Sequence, residues 1–283
     1  MRMKKWKKSF VSLALLMFIS TFAPMIFYFT GTGNTRWAAE QLAHHIGEEL
    51  LFIPNEMKGE CNYELKEGER LGFCFPVHGW QPPRIVRNFI RKATFHTTPD
   101  TYTYSLVTCG DSIGRTMEML NKELMQKGLR VMSMFSLVMP ESYVCLPFMY
   151  TDTPEREKEK ITTAANQLQQ YANLIEKKET NEVHTTRGLT PWLFTHVIGA
   201  YFNGRMITDS KFTVDPDRCI HCGKCQKVCP TGNIEMREGL PEWLHKGACT
   251  TCLACYHYCP EHAINYGKIT KKRGQYYFGH KQK

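Results

Sequence analysis

The strongest constraint on this chain is a cysteine spacing that occurs twice near its carboxyl end. The first run reads Cys219-x2-Cys222-x2-Cys225-x3-Cys229-Pro230, and the second reads Cys249-x2-Cys252-x2-Cys255-x3-Cys259-Pro260. Gaps of two residues let three thiols of one tight loop turn toward a common centre, and the proline after the fourth cysteine turns the chain away. This spacing is typical of thiolates that bind a [4Fe–4S] cluster, so the two runs predict two clusters.

Two other uses of closely spaced cysteines fit the runs less well. Zinc ribbons usually take two ligands from each CxxC pair, whereas each run here has three closely spaced cysteines and a fourth that precedes proline. Disulfides are disfavoured because neighbouring CxxC thiols in a protein of cytosolic character are normally reduced or bound to metal. Iron–sulfur ligation is therefore the preferred interpretation.

The segment from Lys211 to Tyr266 resembles the two-cluster bacterial ferredoxins. The resemblance implies a crossover, in which the fourth cysteine of each run binds the cluster held by the other run. One cluster is then expected on Cys219, Cys222, Cys225 and Cys259, and the other on Cys249, Cys252, Cys255 and Cys229.

Net charge gives no indication of a nucleic-acid partner. The chain has 283 residues and a formal charge of +9, of which five cations among residues 1–24 supply +5 and leave +4. Each cluster with its thiolates adds about −2, so the loaded protein is expected to be near neutrality. Outside the runs, four scattered cysteines are expected to be reduced and buried. They are Cys61, Cys74, Cys109 and Cys145.

Residues 1–24 form a basic and apolar leader with more than one interpretation. The apolar run continues to Phe29, but the residues from Met25 onward are needed as a strand. The 14 residues from Phe10 to Ala23 would make a helix of about 21 Å, too short for a hydrocarbon core of about 30 Å. We therefore expect no stable membrane span, a functional chain that begins at Met25 and a cytoplasmic location; a short membrane tether is the alternative.

A second informative stretch follows that strand. It reads Thr30-Gly31-Thr32-Gly33-Asn34-Thr35 and leads into a helical pattern. Glycines let the backbone wrap an anion, the helix amino terminus directs free N–H groups at it, and threonine hydroxyls add hydrogen bonds. The stretch is neither a Walker A loop nor a complete GxGxxG motif. An ordinary strand-to-helix turn is the structural alternative to an anion site.

The rest of the first 180 residues alternates strands with helices, which predicts a parallel, doubly wound α/β sheet. The final helix, capped by Thr153, is expected to bury one stripe of apolar residues, namely Ile161, Ala165, Leu168, Ala172 and Ile175. The five expected strands are Met25–Phe29, Leu51–Ile53, Leu71–Phe75, Tyr102–Thr108 and Val131–Met139.

Residues 25–180 resemble the flavodoxins, whose phosphate loop has the pattern (T/S)-x-T-G-x-T found here at 30–35. The resemblance implies that FMN lies at the carboxyl ends of the strands, held by that loop and by the loops after the third and fourth strands. His78, Gly79 and Trp80 would then lie near the flavin ring, and Cys109, Gly110 and Asp111 would contact its other edge. Trp80 either stacks on the ring or packs on the protein, and Cys109 is expected to be a small loop residue rather than a redox thiol.

The predicted domain organisation has four parts. Residues 1–24 are the leader, and residues 25–180 are the flavodoxin-like domain. Residues 181–210 are a linker with a helix at Pro191 to Phe202 that docks the two domains. Residues 211–283 are a small α+β domain of the ferredoxin type. The basic tail from Lys268 is expected to be a solvated end, and a docking patch for an acidic partner is the alternative.

As a whole the chain resembles the flavodoxin-plus-ferredoxin fusion family, apart from its leader. The resemblance implies an electron-transfer protein that relays electrons between two [4Fe–4S] clusters and a noncovalent FMN, with unidentified redox donor and acceptor proteins. The alternative is a ferredoxin, or a redox-sensing or binding module, whose flavin site is empty. The sequence contains neither HExxH nor GxSxG, so it does not predict substrate chemistry of its own.

Overall fold

The structure is a computed structural model that describes residues 24–98 and 100–280. The predicted leader, apart from Pro24, lies outside the described residues. The strands of the first part of the chain are β1 (Met25–Tyr28), β2 (Glu49–Phe52), β3 (Asn62–Glu64), β4 (Arg70–Pro76), β5 (Thr94–His96), β6 (Tyr102–Cys109), β7 (Ser133–Val138) and β8 (Val183–His184).

Six of these strands form one parallel sheet in the order β2-β1-β4-β6-β7-β8, while β3 and β5 form a separate pair. The five predicted strands of this sheet follow the order 2-1-3-4-5, which is that of the flavodoxin-like doubly wound folds. The predicted fold class is confirmed. The sixth strand is an addition, because Val183 pairs with Met134 and extends the sheet from within the predicted linker.

Helices cover both faces of the sheet, as its nearly continuous apolar strands require. All eight residues of β6 are buried. The helices are α1 (Asn34–Ile46), α2 (Ile53–Glu56), α3 (Arg84–Lys92), α4 (Thr116–Met125) and α5 (Pro154–Glu176). Apolar residues of α1 and α5 pack in one core, and those of α3 and α4 pack in the core on the opposite face.

The buried stripe of α5 differs in part from the predicted one. Leu168, Ala172 and Ile175 are buried as expected, but the other two buried positions are Ala164 and Tyr171. At the predicted positions, Ala165 is exposed and Ile161 is only partly buried. The buried stripe includes Ala164, one residue before the expected Ala165, where Thr162 and Thr163 leave the helical period ambiguous.

A helical segment at 191–206, here called the linking helix, begins where the sequence predicted a helix and continues to Met206. It alternates short α-helical turns with π-helical ones: α6 (Pro191–Leu193), a π turn (Phe194–Ile198), α7 (Gly199–Tyr201) and a second π turn (Phe202–Met206). Thr195 and Phe202 are buried, whereas Trp192 and Tyr201 are exposed. Among the described residues, no helix is both long enough and apolar enough to cross a membrane.

Residues 207–280, here called the cysteine-rich unit, contain two antiparallel strand pairs and two short helices that pack on each other. Each short helix contains the third cysteine of a run. The elements are β9 (Phe212–Val214), α8 (Lys224–Val228), β10 (Ile234–Arg237), β11 (Leu240–Trp243), α9 (Ala254–His257), β12 (Ile264–Tyr266) and a 3-10 turn (Thr270–Lys272). Val144 and Cys145, from the loop after β7, pack in the core of this unit.

The carboxyl-terminal tail is not the solvated end that the sequence predicted. Tyr276 is 2% exposed, and its hydroxyl donates a hydrogen bond of 2.6 Å to the Asn34 side chain. The Phe278 N–H donates to the carbonyl of Thr32 at 2.8 Å, and the Phe278 ring stacks on Trp37. Tyr276 and Phe278 therefore hold the tail against α1 and the loop before it, although basic residues surround them.

Candidate functional site

The loop at 30–35 connects β1 to α1 and has the features of an anion site. Gly33 has a φ of 97°, a left-handed conformation that glycine adopts without strain. Its N–H donates to the Thr30 hydroxyl at 3.2 Å. The first N–H groups of α1 lack partners within the helix, as at every helix amino terminus, and are free to bind an anion.

The two other threonines of the loop differ in their hydrogen bonding. The Thr35 hydroxyl shares a buried hydrogen bond of 2.7 Å with the hydroxyl of Thr108 on β6. The Thr32 side chain is buried, and its hydroxyl makes no hydrogen bond to another described residue. Thr32 is thus the more available donor to a bound phosphate.

The three predicted flavin loops converge on one cavity of about 180 Å³, here called the loop cavity. Of the predicted flavin residues, only Gly33 does not line it. Those that do are Thr30, Gly31, Thr32, Asn34, Thr35, His78, Gly79, Trp80, Cys109, Gly110 and Asp111.

His78 presents an unsatisfied polar atom at this cavity. Its Nδ1 is buried and has no hydrogen-bond partner among the described residues, and burial lowers the pKa of the imidazole to about 4. A buried ring nitrogen without a partner is rare in folded proteins. A polar ligand in the loop cavity would supply the missing partner, which fits the predicted flavin.

Trp80 lines the loop cavity from a strained turn. Gly79 and Trp80 have φ values of 54° and 55°, and His78 and Gln81 exchange backbone hydrogen bonds across them. A left-handed conformation is unusual for a bulky residue, and such strain often occurs at functional sites. The indole ring packs on Phe194 at 4.6 Å and donates from Nε1 to the Ser112 hydroxyl at 3.2 Å. Stacking of Trp80 on a flavin stays a prediction.

Cys109 lies at the end of β6 and is almost fully buried. Burial raises the pKa of its thiol to about 12, with Asp111 and Glu141 adding to the rise. A thiol that stays protonated is a poor nucleophile. This environment agrees with a small loop residue.

The cavity also contains residues that the sequence analysis missed. They come from the loop after β7, from the linking helix and from the second cysteine run: Met139, Pro140, Glu141, Ser142, Tyr143, Leu146, Met149, Phe202, Thr250, Thr251 and Cys252. The position of 139–143 at the carboxyl end of the fifth predicted strand was a usable signal, because ligand sites of such sheets lie at that edge.

The fourth cysteine of the first run lies with the other three of the second run. Cys229, Cys249, Cys252 and Cys255 all line one small cavity, here called the thiol cavity. Burial, with a smaller contribution from the Cys229 thiol, raises the pKa of Cys249 to about 12 and that of Cys252 to about 11. Four mutually repelling thiolates need a cationic centre between them, which fits a [4Fe–4S] cluster.

The remaining run cysteines have a corresponding arrangement. Burial, with smaller contributions from the Cys259 and Cys222 thiols, raises the pKa of Cys225 to about 11, so Cys259 lies near cysteines of the other run. Cys219 is partly buried and Cys222 is exposed. The crossed grouping is therefore present in the fold, while the binding of clusters to it remains a proposal.

Backbone N–H groups donate to sulfurs of both groups. The donors are Asn233 to Cys229, Thr251 to Cys249 and Ala263 to Cys259, at 3.2, 3.3 and 3.3 Å between nitrogen and sulfur. Hydrogen bonds to cluster sulfurs help to set reduction potentials. No group of three or more His, Cys, Asp or Glu side chains in the described residues could hold a single metal ion.

The loop cavity and the thiol cavity adjoin at Thr250 and Cys252, which line both. A Cβ atom placed on Gly31 would lie 2.7 Å from the Cβ of Cys252 and 3.3 Å from its sulfur. Cys252 itself lines both cavities. The lack of a side chain at Gly31 lets the predicted phosphate loop touch a predicted cluster ligand.

Residues 211–260 match the family model for a 4Fe-4S dicluster domain. The range includes all eight run cysteines. A second model with the same description matches residues 152–233, which contain only the first run together with all of α5. The first match is the one that agrees with the structure, since the thiol cavity needs cysteines from both runs. The match over residues 211–260 supports iron–sulfur electron transfer as the function of the cysteine-rich unit.

Curated relatives share the same short region. One component of an ion-translocating oxidoreductase complex from Methanosarcina acetivorans is 48% identical over 46 residues, which are 16% of this chain and 17% of that protein. A ferredoxin-like protein of the nif region from Trichormus variabilis is 39% identical over 44 residues, 16% of this chain and 38% of that protein. The chain therefore spans well under half the length of these relatives.

Among solved structures, the chain is similar to the rubredoxin oxygen:oxidoreductase of Desulfovibrio gigas and to the Flv1 flavodiiron core of Synechocystis sp. In each case the identity is 16%, the TM-score is 0.28, and the match covers 52% of this chain and 36% of the other. A likeness at this TM-score carries no argument. The fold class rests on the strand order instead.

Proposed function

We propose that this protein is an electron-transfer iron–sulfur flavoprotein, in which two [4Fe–4S] clusters on the run cysteines and a noncovalent FMN in the loop cavity form one relay. When bound, clusters supply one-electron transfer and a flavin supplies one- or two-electron transfer. Such a protein could connect a one-electron carrier with a two-electron one. Its donor and acceptor are redox proteins that the sequence does not identify.

The position of Cys252 carries this proposal. Cys252 lines both the loop cavity and the thiol cavity, and it lies against Gly31 of the predicted phosphate loop. Two carriers that merely shared a chain would not need their binding sites in contact. Contact of the two sites keeps the path between the bound groups short, which supports a relay.

The protein's own residues would bind and orient the groups. The free N–H groups at the start of α1 and the Thr32 hydroxyl are available to a phosphate, and His78 Nδ1 is available to a polar edge of the flavin ring. The Thr251 N–H, which donates to the Cys249 sulfur, would tune a cluster bound there.

Rapid mixing of the anaerobic protein with a small one-electron reductant tests the relay. We expect the iron–sulfur absorbance to bleach first and the flavin absorbance of the same molecule to follow at a rate independent of protein concentration. Flavin reduction that is second order in protein, or absent, would show two separate carriers.

The absorption spectrum of the anaerobically purified protein tests the two cofactors separately. The proposal requires flavin bands together with an iron–sulfur shoulder. A shoulder without flavin bands, even after incubation with FMN, would favour a ferredoxin or a redox-sensing module. Such a module would have no flavin for the relay.

A further inference from the structure

A second large opening at the same edge of the sheet has no role in the proposed relay. It is a cleft of about 890 Å³ between the sheet and the cysteine-rich unit, here called the cationic cleft. Its walls include the end of β1, the loop after β2, the start of α3 and segments of both cysteine runs. The cleft is distinct from the loop cavity, although Thr30, Gly31 and Thr250 line both.

The charged side chains of the cleft, apart from the predicted cluster ligands, have one sign. Arg36, Lys58, Arg84 and Lys227 line it, and no Asp or Glu among the described residues does. Arg36 forms an ion pair with Glu40 on its own helix. The other three cations form no ion pair within the described residues, so their charge is uncompensated locally. A concave surface of one sign focuses the electrostatic field and attracts partners of opposite charge.

The floor of the cleft contains two predicted cluster ligands. Cys229 and Cys249 line both the cationic cleft and the thiol cavity, while Cys252 faces the loop cavity on another side. A partner in the cleft would therefore approach the cluster proposed for these cysteines without entering the loop cavity.

The surroundings of the exposed Cys222 are less suited to electrostatic docking. The residues just before the first run, Asp217 and Arg218, carry opposite charges. On the neighbouring hairpin Arg237 is within 3.2 Å of both Glu235 and Glu242. The charges named on this face are of mixed sign and leave −1, whereas the basic side chains of the cationic cleft add.

We propose that the cationic cleft is the docking site of a small one-electron carrier protein with an acidic surface. The inference rests on the proposed electron-transfer function and adds the docking site and the class of partner protein. The three uncompensated cations are exposed side chains at the opening of the cleft. Exposed rim charges are typical of surfaces that steer and orient protein partners. Small-molecule sites instead place their few polar groups inside an enclosed, mostly apolar pocket.

Binding of an oxidised acidic ferredoxin to the cofactor-loaded protein tests the proposal without any electron transfer. The probe is a small two-cluster ferredoxin of net negative charge, titrated calorimetrically at low and high ionic strength. The variant K58E/R84E/K227E is compared with K122E/K158E/K177E, which makes the same change in net charge at exposed lysines outside the cleft.

We expect wild-type binding to weaken with salt and the cleft variant to bind at least about tenfold more weakly, with the control variant much closer to wild type. Cofactor content and melting temperature show whether the triple variant is folded. If it is not, the double variant K58E/K227E is used in its place. Equal weakening by the cleft and control variants, or no binding of the probe to wild-type protein at low salt, would overturn the proposal.

Titration with ADP covers the competing small-anion interpretation. One-to-one binding of ADP that the cleft variant abolishes, in a protein that does not bind the ferredoxin, would also overturn the docking proposal. Rapid mixing with a small reductant needs no docking, so the relay is tested separately. A cleft variant that no longer binds the ferredoxin but keeps concentration-independent flavin reduction would support both proposals.

Discussion

At the scale of single residues, the hydroxyls of the 30–35 loop can be separated by mutation. The Thr32 hydroxyl has no partner among the described residues, so Thr32→Ala breaks no hydrogen bond of the fold. A hydrogen bond to a charged group is worth about 1.5–3 kcal/mol, so we expect FMN affinity to fall roughly 10- to 150-fold. Fluorescence titration of FMN measures this, with the exposed Thr162→Ala as the control; equal affinities would exclude Thr32 as a phosphate ligand.

His78 makes stability depend on pH. Its pKa is about 4 in the folded protein against 6.5 for an unperturbed imidazole, because burial disfavours the charged form. Below pH 6.5 the unfolded chain takes up a proton that the folded chain does not, so stability falls as the pH drops from 6.5 toward 4.

The expected loss of stability from His78 is about 1–3 kcal/mol for the flavin-free protein. Denaturant unfolding at pH 7.5 and pH 4.5 should show a smaller loss for His78→Gln than for wild type. His257, whose pKa is also lowered to about 4 by burial, is present in both proteins and cancels in the comparison. An identical pH dependence would mean that His78 is solvated in solution.

At the scale of elements, one buried threonine helps to hold the linking helix beside the loop cavity. The Thr195 hydroxyl accepts a hydrogen bond of 2.8 Å from the Arg115 N–H and donates one of 3.2 Å to the Trp80 carbonyl. Thr195→Val keeps the shape and leaves both backbone groups unsatisfied, which costs about 1–3 kcal/mol. Chemical unfolding should show that loss, while the exposed Thr190→Val stays near wild type; equal stabilities would mean that water replaces the hydroxyl.

The crossed cysteine runs predict an unequal effect of one substitution. Cys229 belongs to the first run but lines the thiol cavity with three cysteines of the second run. Cys229→Ala should therefore damage the cluster at Cys249, Cys252 and Cys255 more than the cluster of the first run. Iron content after anaerobic reconstitution should fall from about eight toward four atoms per chain. Cys145→Ala, in the same core but outside the runs, should retain eight. Loss of the other cluster alone would contradict the crossover.

At the scale of the whole molecule, the tail connects the two ends of the described chain. The Tyr276 hydroxyl bonds to Asn34, which lines the loop cavity 242 residues earlier in the sequence. Tyr276→Phe should lower the free energy of unfolding by about 1–3 kcal/mol, because the buried Asn34 oxygen loses its donor. We expect FMN affinity to fall as well. Tyr277→Phe, which keeps the ring stacked on Tyr258, is the control; equal effects of the two would exclude a specific role of the Tyr276 bond.

Local patterns in the sequence were sufficient for the features that depend on neighbouring residues. The spacing of the run cysteines predicted an iron–sulfur module because the ligands of one loop are set by chain geometry. Alternating apolar strands and helices predicted the doubly wound sheet, and the strand-to-turn-to-helix pattern at 30–35 predicted where its loop lies. The same reasoning located eleven of the residues that line the loop cavity.

Contacts between distant segments required the tertiary structure. The pairing of Gly31 with Cys252, the bond from Tyr276 to Asn34 and the packing of Val144 in the cysteine-rich unit join residues far apart in the chain. Periodicity reports which face of an element is buried but not which partner covers it. The sequence alone therefore determined two modules and their expected groups. Only the folded chain decided that the two predicted binding sites touch at one cysteine, because that contact depends on how the modules pack.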